Sequence, residues 1–487
     1  MNSNMLKKSW NALALLSLDD GWQRHRRMLW LGALAGLILV SFAGNMQRGL
    51  LETTEGRYAE CALEMLSSGN YLEPTLDSDP HWTKPPMVYW AMAAGMAMAG
   101  PGESSVRLGN AAAFICTGLV TAWMAWILWG EISGWATLAI YATSVLPVLG
   151  GTILSTDILL AFFETLAVAC YVIWAHSPRQ SRKLLAMMWA AFGLAFLTKG
   201  PPGLLPLLAI IPWHIWMFRD GRLFLPLGLA LFLMPVLGYF AFIIAKHPDL
   251  FSYYLDQEII GRLTSDTFHR NPQWWKPLVI YAPLLLLGQI QWGWMLRNPK
   301  KVWQALPQAQ RIFLGLWVVA PLVVFCLAKS RLPLYILPLS IPLTLFMAHG
   351  LAQQRSRIGL RTVAVTFVGT IALFVAARAA LGVLPMHQNM RQLYTQVETA
   401  GDGEIVALVK DKAYGLQFYA GGMVKWIGSD GADRKESLRR FLQTASGRYR
   451  LVAREKDESL LEKEFRAAGL TSSRSTHAGW IISAFEK

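Results

Sequence analysis

The segment Glu52-Thr53-Thr54-Glu55-Gly56-Arg57-Tyr58-Ala59-Glu60, followed further on by Thr83-Lys84-Pro85-Pro86, separates the first two of many long apolar runs in this chain. Against two bases, Arg57 and Lys84, residues 51–86 hold seven acids: Glu52, Glu55, Glu60, Glu64, Glu73, Asp77 and Asp79. The segment is also rich in aromatic and apolar residues, which argues against disorder. We therefore predict an ordered, functional polar loop here.

The composition predicts a polytopic membrane protein. Of the 487 residues, 54% are hydrophobic and 21 are tryptophan. From Leu29 to Gly382, apolar runs recur that are long enough to cross about 30 Å of hydrocarbon. The net charge of +14 does not predict a nucleic-acid partner, because the bases cluster in short connections, as the positive-inside rule gives for cytoplasmic loops. These clusters lie at residues 7–8, 24–27, 179–183, 219–222, 297–301 and 355–361.

Charge alternation gives a predicted topology. If the basic clusters are cytoplasmic, loop 51–86, the connection 246–274 and everything after residue 385 lie outside. Four apolar runs occupy residues 86–176, whereas the alternation requires an odd number, so one run must split or merge. The fold class is therefore predicted as an all-α polytopic membrane protein with about 13 transmembrane helices, and 11 as the alternative.

The last hundred residues predict a second domain of different character. Short apolar stretches at Glu404–Val409, Tyr449–Ala453 and Gly479–Ala484 are typical of buried strands, and charged amphipathic stretches at 433–445 and 456–468 of helices. We predict a transmembrane domain at 1–385 and a small α/β domain at 386–487, on the outer face.

The acidic loop carries the residue types that a group transfer from a phosphate-bearing donor needs. Glu52 and Glu55 offer a carboxylate to orient or deprotonate an acceptor hydroxyl. Arg57 and Lys84 offer cations for a leaving phosphate. The alternative is a solvated anionic loop with internal ion pairs.

Other acids have simpler explanations. Glu60 and Glu64, four residues apart, are expected on the wet face of a helix. Asp157 opens an apolar run, where an acid is favoured by the helix dipole alone. With thirteen spans, however, Asp157 lies on the same side as Glu55 and becomes a candidate second carboxylate.

Several bases fall in outer connections, against the positive-inside trend, and predict an anionic lipid substrate. They are Lys199, Arg262, Arg270 and Arg331, with Tyr335 nearby as a further phosphate contact. The Trp274-Trp275 pair is also typical of an interface anchor.

Three residues are harder to assign. His269 is a candidate metal ligand, although a lone histidine more often is not one. Glu164 and Arg378 sit inside apolar runs and are functional candidates by default, without an assigned role.

Six segments, in this order, resemble the bacterial lipid-A aminoarabinose transferases and the wider protein-mannosyltransferase-like family. They are Thr54–Glu60, Thr83-Lys84-Pro85, Asp157, Leu197–Pro201, His269–Trp275 and Ser330–Pro338. The resemblance covers about residues 45–350.

The resemblance implies a GT-C fold, in which a sugar leaves a polyprenyl-phosphate carrier at the outer leaflet for lipid A, protein or another glycan. Two positions depart from the family pattern. Its first acid is Thr54 here, which passes the base role to Glu55 or Glu52. The acid before Lys84 is Thr83, which puts in doubt a divalent metal site shared with His269, so the cofactor stays open.

The combined hypothesis is a bacterial inner-membrane glycosyltransferase with its active site in the periplasm. It would move a monosaccharide, such as 4-amino-4-deoxy-arabinose or another amino sugar, from undecaprenyl phosphate to lipid A or another lipopolysaccharide component. Glu55 or Glu52 would activate the acceptor, assisted by Asp157. The alternatives are a protein O-glycosyltransferase of the same fold, a secondary transporter and an inactive relative.

Overall fold

The computed structural model describes residues 20–43, 48–261, 270–296, 298–354, 359–429 and 432–487. The chain divides into two compact units. The first unit comprises residues 1–43, 82–91 and 108–376, and the second comprises residues 44–81, 92–107 and 377–487.

Helices dominate the described part of the chain. In chain order, the α-helices are α1 Asp20–Phe42, α2 Thr54–Ser68, α3 Met87–Ala99, α4 Glu103–Val106, α5 Leu108–Trp129, α6 Glu131–Ala142, α7 Val145–Thr152, α8 Asp157–His176, α9 Arg182–Lys199, α10 Leu207–Met217, α11 Pro226–Lys246, α12 Leu250–Ser252, α13 Lys276–Leu287, α14 Ile290–Gly293, α15 Pro299–Ala305, α16 Gln308–Leu327, α17 Ser340–Gln353, α18 Leu360–Val383, α19 Met390–Thr399, α20 Tyr414–Tyr419, α21 Arg434–Thr444 and α22 Glu458–Ala467. A π-helix spans Tyr253–Gly261, and 3-10 helices span Pro201–Leu204, Arg222–Phe224, Pro333–Leu339 and Glu455–Asp457.

Six helical segments within the described ranges are long and apolar enough to cross a membrane. A bent pair of helices, α6 and α7, would make a seventh, and three shorter apolar helices accompany them. A mostly helical fold with several apolar helices of membrane-spanning length is thus confirmed, whereas the count of thirteen spans is not.

The bend between α6 and α7 explains part of the uncertainty in counting. The sequence offers one apolar run at 132–150, but the structure splits it into helices of 12 and 8 residues that meet at 57°. At about 1.5 Å per residue, neither half alone crosses a bilayer. Periodicity does not reveal such a bend, because both halves are equally apolar.

Two helices of the first unit, α8 and α9, pack against each other and position the polar residues at their ends. Helix α8 begins at Asp157, whose backbone N–H donates to Ser155 Oγ at 3.3 Å. Helix α9 ends at Lys199 because Gly200 adopts a φ of 75° and two prolines follow.

The second unit contains the predicted α/β domain. Its five strands are β3 Glu404–Leu408, β4 Val424–Ile427, β5 Arg448–Arg454, β6 Ser473–His477 and β7 Trp480–Glu486, in the spatial order β4-β3-β5-β7-β6. Strands β3, β4 and β5 are parallel, and β7 joins β5 antiparallel. The three predicted strands and both predicted helices are confirmed. Strand β4 was missed because it is only four residues long, and β6 because it is largely exposed.

The sheet is covered on both faces. One apolar cluster includes Met390, Leu393 and Leu416, from α19 and α20. The other includes Leu438 and Phe465, from α21 and α22. Apart from this sheet, the second unit holds a two-stranded hairpin in the acidic loop, made of β1 Thr75–Leu76 and β2 Asp79–Pro80.

Candidate active site

A buried ion pair in the first unit joins the two residues that end α9 and begin α8. Lys199 Nζ donates to Asp157 Oδ1, and both side chains are about nine-tenths buried. The second carboxylate oxygen of Asp157 accepts no hydrogen bond from any residue in the described ranges. Asp157 therefore has one oxygen fixed by a cation and one available for a proton.

Tyr335 extends this pair into a larger cationic group. Lys199 Nζ lies 4.1 Å from the centroid of the Tyr335 ring. On the other side, Arg270 Nη1 donates to the Tyr335 hydroxyl at 3.3 Å. The structure thus brings together four residues predicted separately from the sequence, Asp157, Lys199, Arg270 and Tyr335.

Lys84 has a partner that the sequence did not indicate. Its ammonium lies 3.5 Å from Glu258 Oε2, in the π-helix, and donates to the Thr83 carbonyl at 2.8 Å. The Lys84 and Glu258 side chains are only 11% and 14% exposed. This partly desolvated ammonium is suited to bind an anion when Glu258 yields it.

Arg331 has a different environment from the one expected of a phosphate ligand. Its guanidinium donates to the backbone carbonyls of Asn271, Gln273 and Cys326 at 2.7 to 2.9 Å. The backbone N–H of Arg331 donates to the backbone carbonyl of Arg270 at 2.8 Å. Arg331 therefore fixes the segment that carries Arg270.

Two predicted site residues, Arg262 and His269, lie outside the described residues. Within the described ranges, no group of three or more His, Cys, Asp or Glu side chains could hold a metal ion. At the position before Lys84, Thr83 lacks a carboxylate. The described residues therefore do not supply the ligands of a divalent metal site.

The second unit contains a buried ionic triad around Glu55. Arg48 Nη2 lies 2.6 Å from Glu55 Oε1, and Arg107 Nη2 lies 3.0 Å from Glu55 Oε2. The N–H of Leu51 also donates to Oε2 at 3.0 Å. Because both carboxylate oxygens are engaged, Glu55 is poorly placed to accept a proton and well placed to fix the start of α2.

Glu52 has a more open hydrogen-bonding pattern. Its Oε2 accepts from the Gly415 N–H at 2.8 Å, whereas its Oε1 is buried and has no hydrogen-bond partner among the described residues. Burial raises the pKa of Glu52 to about 7, against the opposing effects of the Gly415 N–H and the Arg57 charge.

Glu60 corrects the expectation of a wet helix face. Its side chain is only 2% exposed, and its Oε2 has no hydrogen-bond partner within the described part of the chain. Helix α2 therefore carries a buried acid, and α20 of the same unit packs against this helix. Glu64 instead accepts hydrogen bonds from Thr75, Asp77 and Ser78 of the hairpin.

The buried Glu60 predicts a pH dependence of stability. Burial, followed by the nearby charges of Glu64 and Asp77, raises its pKa from 4.5 to about 8. Below pH 4.5 the group is protonated in both states; as pH rises towards 8, only the unfolded chain releases the proton, so stability falls. Above pH 8, we expect Glu60→Gln to raise the melting temperature and to increase the free energy of unfolding by up to several kcal/mol. At pH 5 the substitution should have little effect on either quantity.

Melting curves in detergent from pH 5 to 9 check this expectation, with Glu404→Gln, an exposed glutamate of β3, as the control. Equal pH profiles for wild type and Glu60→Gln would contradict it.

The structure shows the neighbours of the acid and the base that the sequence left without a role. Glu164 is buried in α8, within electrostatic range of Asp157 and Lys199. Arg378 is buried in the second unit, within electrostatic range of Arg48.

Sequence reasoning missed Arg48, Arg107 and Glu258. Arg107 carried a usable signal, since a lone arginine beside an apolar run is a functional candidate by default. Arg48 and Glu258 carried none, because each is an ordinary loop charge until its partner is known.

The chain is similar to known proteins both in sequence and in structure. Residues 20–251 match the family model of dolichyl-phosphate-mannose-protein mannosyltransferases. A structure of ArnT from Cupriavidus metallidurans, bound to undecaprenyl phosphate, superimposes with a TM-score of 0.77 over 93% of this chain and 97% of that one, at 20% identity. The chain has the GT-C fold. The resemblance seen in the sequence is thereby confirmed.

Two of the relatives found among curated proteins are undecaprenyl phosphate-alpha-4-amino-4-deoxy-L-arabinose arabinosyl transferases. The Pseudomonas fluorescens protein is 31% identical over 66% of this chain and 59% of its own length. The Erwinia tasmaniensis protein is 31% identical over 62% of this chain and 55% of its own length. The matched part of the chain thus spans less than two thirds of these relatives.

Proposed function

We propose that this GT-C protein is a bacterial inner-membrane glycosyltransferase that takes a monosaccharide from undecaprenyl phosphate. The acceptor is lipid A or another lipopolysaccharide component at the periplasmic face. The observation that carries the proposal is the buried Asp157–Lys199 pair, with Tyr335 and Arg270 beside it. A carboxylate with a free oxygen, set among cations, is what transfer from a phosphate-linked sugar requires.

In the proposed reaction, an acceptor oxygen attacks the anomeric carbon of the sugar. The bond between that carbon and the phosphate oxygen breaks, and the phosphate leaves with the electron pair. Asp157 accepts the proton of a hydroxyl acceptor. Lys199, Arg270 and Lys84 stabilise the negative charge on the departing phosphate.

Glu55 has a supporting role in this mechanism. Its carboxylate is shared between Arg48 and Arg107, so it balances two buried charges at the start of α2. We propose Arg57, on the same helix, as a contact of the phosphate. The same role is proposed for Arg262, on the connection 246–274.

Different observations support the identity of the sugar and the side of the membrane on which the site lies. The names of the curated relatives favour 4-amino-4-deoxy-arabinose as the sugar. The basic clusters at 179–183 and 219–222 favour a cytoplasmic position for those connections. With that orientation, Lys199 and the domain at 386–487 lie in the periplasm.

A protein O-glycosyltransferase is the second candidate. It is favoured by the match of residues 20–251 to the protein mannosyltransferase model. In that case the same residues would serve a serine or threonine hydroxyl as acceptor.

Purified protein incubated with radiolabelled undecaprenyl-phosphate-linked aminoarabinose and lipid A tests the proposal. We expect label in lipid A, and mass spectra of lipid A from cells with and without the protein should differ by the mass of the sugar. Label in protein alone supports the second candidate. No transfer to either acceptor contradicts both and favours a transporter or an inactive relative.

Lys84→Ala is expected to lower transfer by about 100- to 1,000-fold, because the cation facing the phosphate is lost. Lys301→Ala, an exposed lysine in α15, is the matched control and should keep full activity. Both variants should remain in the membrane with similar melting temperatures. Wild-type transfer by Lys84→Ala would remove Lys84 from the site.

A further inference from the structure

The C-terminal α/β domain has the topology of a ligand-binding sheet. From β3 the chain moves to β4 on one side, then crosses over to β5 on the other. The carboxyl ends of β3 and β5 are therefore neighbours at a point where the strand order reverses. Open α/β sheets bind their ligands in the crevice at this point.

A carboxylate of the acidic loop lies at this edge. Arg454 is the last residue of β5, and its charge interacts with that of Glu52. Gly415, which follows β3, donates its backbone N–H to Glu52 Oε2 at 2.8 Å. Arg57 is the second cation near this carboxylate. The Glu52 side chain thus occupies the crevice as the carboxylate of a bound ligand would.

The backbone of the acidic loop is also attached to this domain. The Glu52 N–H donates to the Gln388 carbonyl at 2.9 Å, and the Met390 N–H donates to the Leu50 carbonyl at 3.0 Å. The Tyr419 hydroxyl accepts from the Leu50 N–H at 2.9 Å. Side chain and main chain therefore hold the residues just before α2.

Two glycines make this approach possible. A Cβ atom at Gly56 would lie 2.4 Å from the Gly415 nitrogen and 2.7 Å from Glu52 Oε2. A Cβ atom at Gly415 would lie 2.5 Å from Met390 Cγ. A methyl group at Gly56 would push α2 and α20 apart, because the backbone of Gly415 cannot yield as a flexible side chain can.

The environment of Glu52 suits a hydrogen-bonded contact that does not require its carboxyl group to be fully charged. The side chain is 7% exposed, and burial raises its pKa to about 7. Of the charged groups around it, Arg57 comes from its own segment and Arg454 from β5, while Asp411 in turn acts on Arg454. Near neutral pH the carboxyl is partly protonated, and a glutamine would imitate its neutral form.

We propose that Glu52 is a positioning residue, bound in the sheet-edge crevice of the C-terminal domain to fix the start of helix α2. The role of Arg57, which α2 carries, rests on the proposed function. The C-terminal domain then binds the acidic loop of the same chain in its crevice and fixes its position.

Hydrogen exchange of the full-length protein in detergent tests the docking directly. In Glu52→Ala and in Gly56→Ala, the amides of residues 52–60 should exchange at least about tenfold faster than in wild type. Glu52→Gln keeps an acceptor for the Gly415 N–H and should stay within a few-fold of wild type. Glu404→Gln, at the opposite end of β3, is the control and should not differ.

Kinetics separate positioning from folding. We expect kcat to fall by about 10- to 100-fold in Gly56→Ala, with KM for the donor changed less than about twofold, as for a misplaced but intact site. Wild-type exchange in both Glu52→Ala and Gly56→Ala overturns the inference. If wild type itself transfers no sugar, the proposed function fails, and the exchange rates still decide the docking.

Discussion

Asp157→Asn is expected to reduce glycosyl transfer by about 100- to 10,000-fold, because it removes the proposed proton acceptor while preserving the shape of the side chain. The structure gives Asp157 one oxygen held by Lys199 and one oxygen without a hydrogen bond from the described residues. Transfer assays at saturating donor and acceptor measure the loss in kcat.

A stability effect accompanies this substitution and has to be separated from the chemistry. Removing the carboxylate leaves the buried Lys199 ammonium without its ion pair, which is costly. Replacing both residues, as Asp157→Asn with Lys199→Met, should recover much of the lost stability and none of the activity. Such non-additivity is typical of residues in direct contact.

A matched control is available in the same unit. Asp220 is also paired with a base, Arg222, at 2.7 Å, but is partly exposed. Asp220→Asn should therefore keep near-wild-type transfer. If Asp157→Asn and Asp220→Asn were equally active, Asp157 would not be the proton acceptor.

Glu55→Gln is expected to destabilise the protein by about 3–5 kcal/mol, because it removes the negative charge with which two buried guanidinium groups are paired. The side chains of Arg48, Arg107 and Glu55 are all buried, at most 6% exposed. Transfer should fall with the loss of folded protein. Denaturation in mild detergent, followed by tryptophan fluorescence, measures the change.

The triple variant Arg48→Met, Glu55→Met, Arg107→Met distinguishes a structural from a chemical role. Replacing a whole buried ionic group by apolar residues of similar size is often neutral or stabilising. We expect this variant to fold and to regain measurable transfer, since Glu55 acts through charge balance. A stable triple variant without any activity would instead support Glu55 as the base.

The sequence was informative wherever one segment carries the whole signal. Apolar runs identified the membrane-spanning character, and alternating short strands and amphipathic helices identified the C-terminal domain. The motif order predicted the GT-C fold, and four predicted site residues, among them Asp157 and Lys199, are found together.

Local signals failed where a helix bends or a charge is buried by a distant segment. The 57° bend between α6 and α7 lies within a uniformly apolar run, so hydropathy does not locate it. Glu60 has the spacing of a solvent-facing residue, yet it is buried in the folded chain. Helical periodicity shows which residues share a face, but not what covers that face.

By itself, the sequence determined the class of protein, the two kinds of domain and the residue types available for chemistry, because these depend on composition and short-range pattern. Only the tertiary structure decided which charges are paired. Lys199 meets Asp157 across 42 residues, Arg107 meets Glu55 across 52, and Gly415 meets Glu52 across 363. In a low-dielectric interior the partner decides whether a carboxylate takes a proton, balances a charge or anchors a loop. That choice is made by packing, which brings together residues that have no relation along the chain.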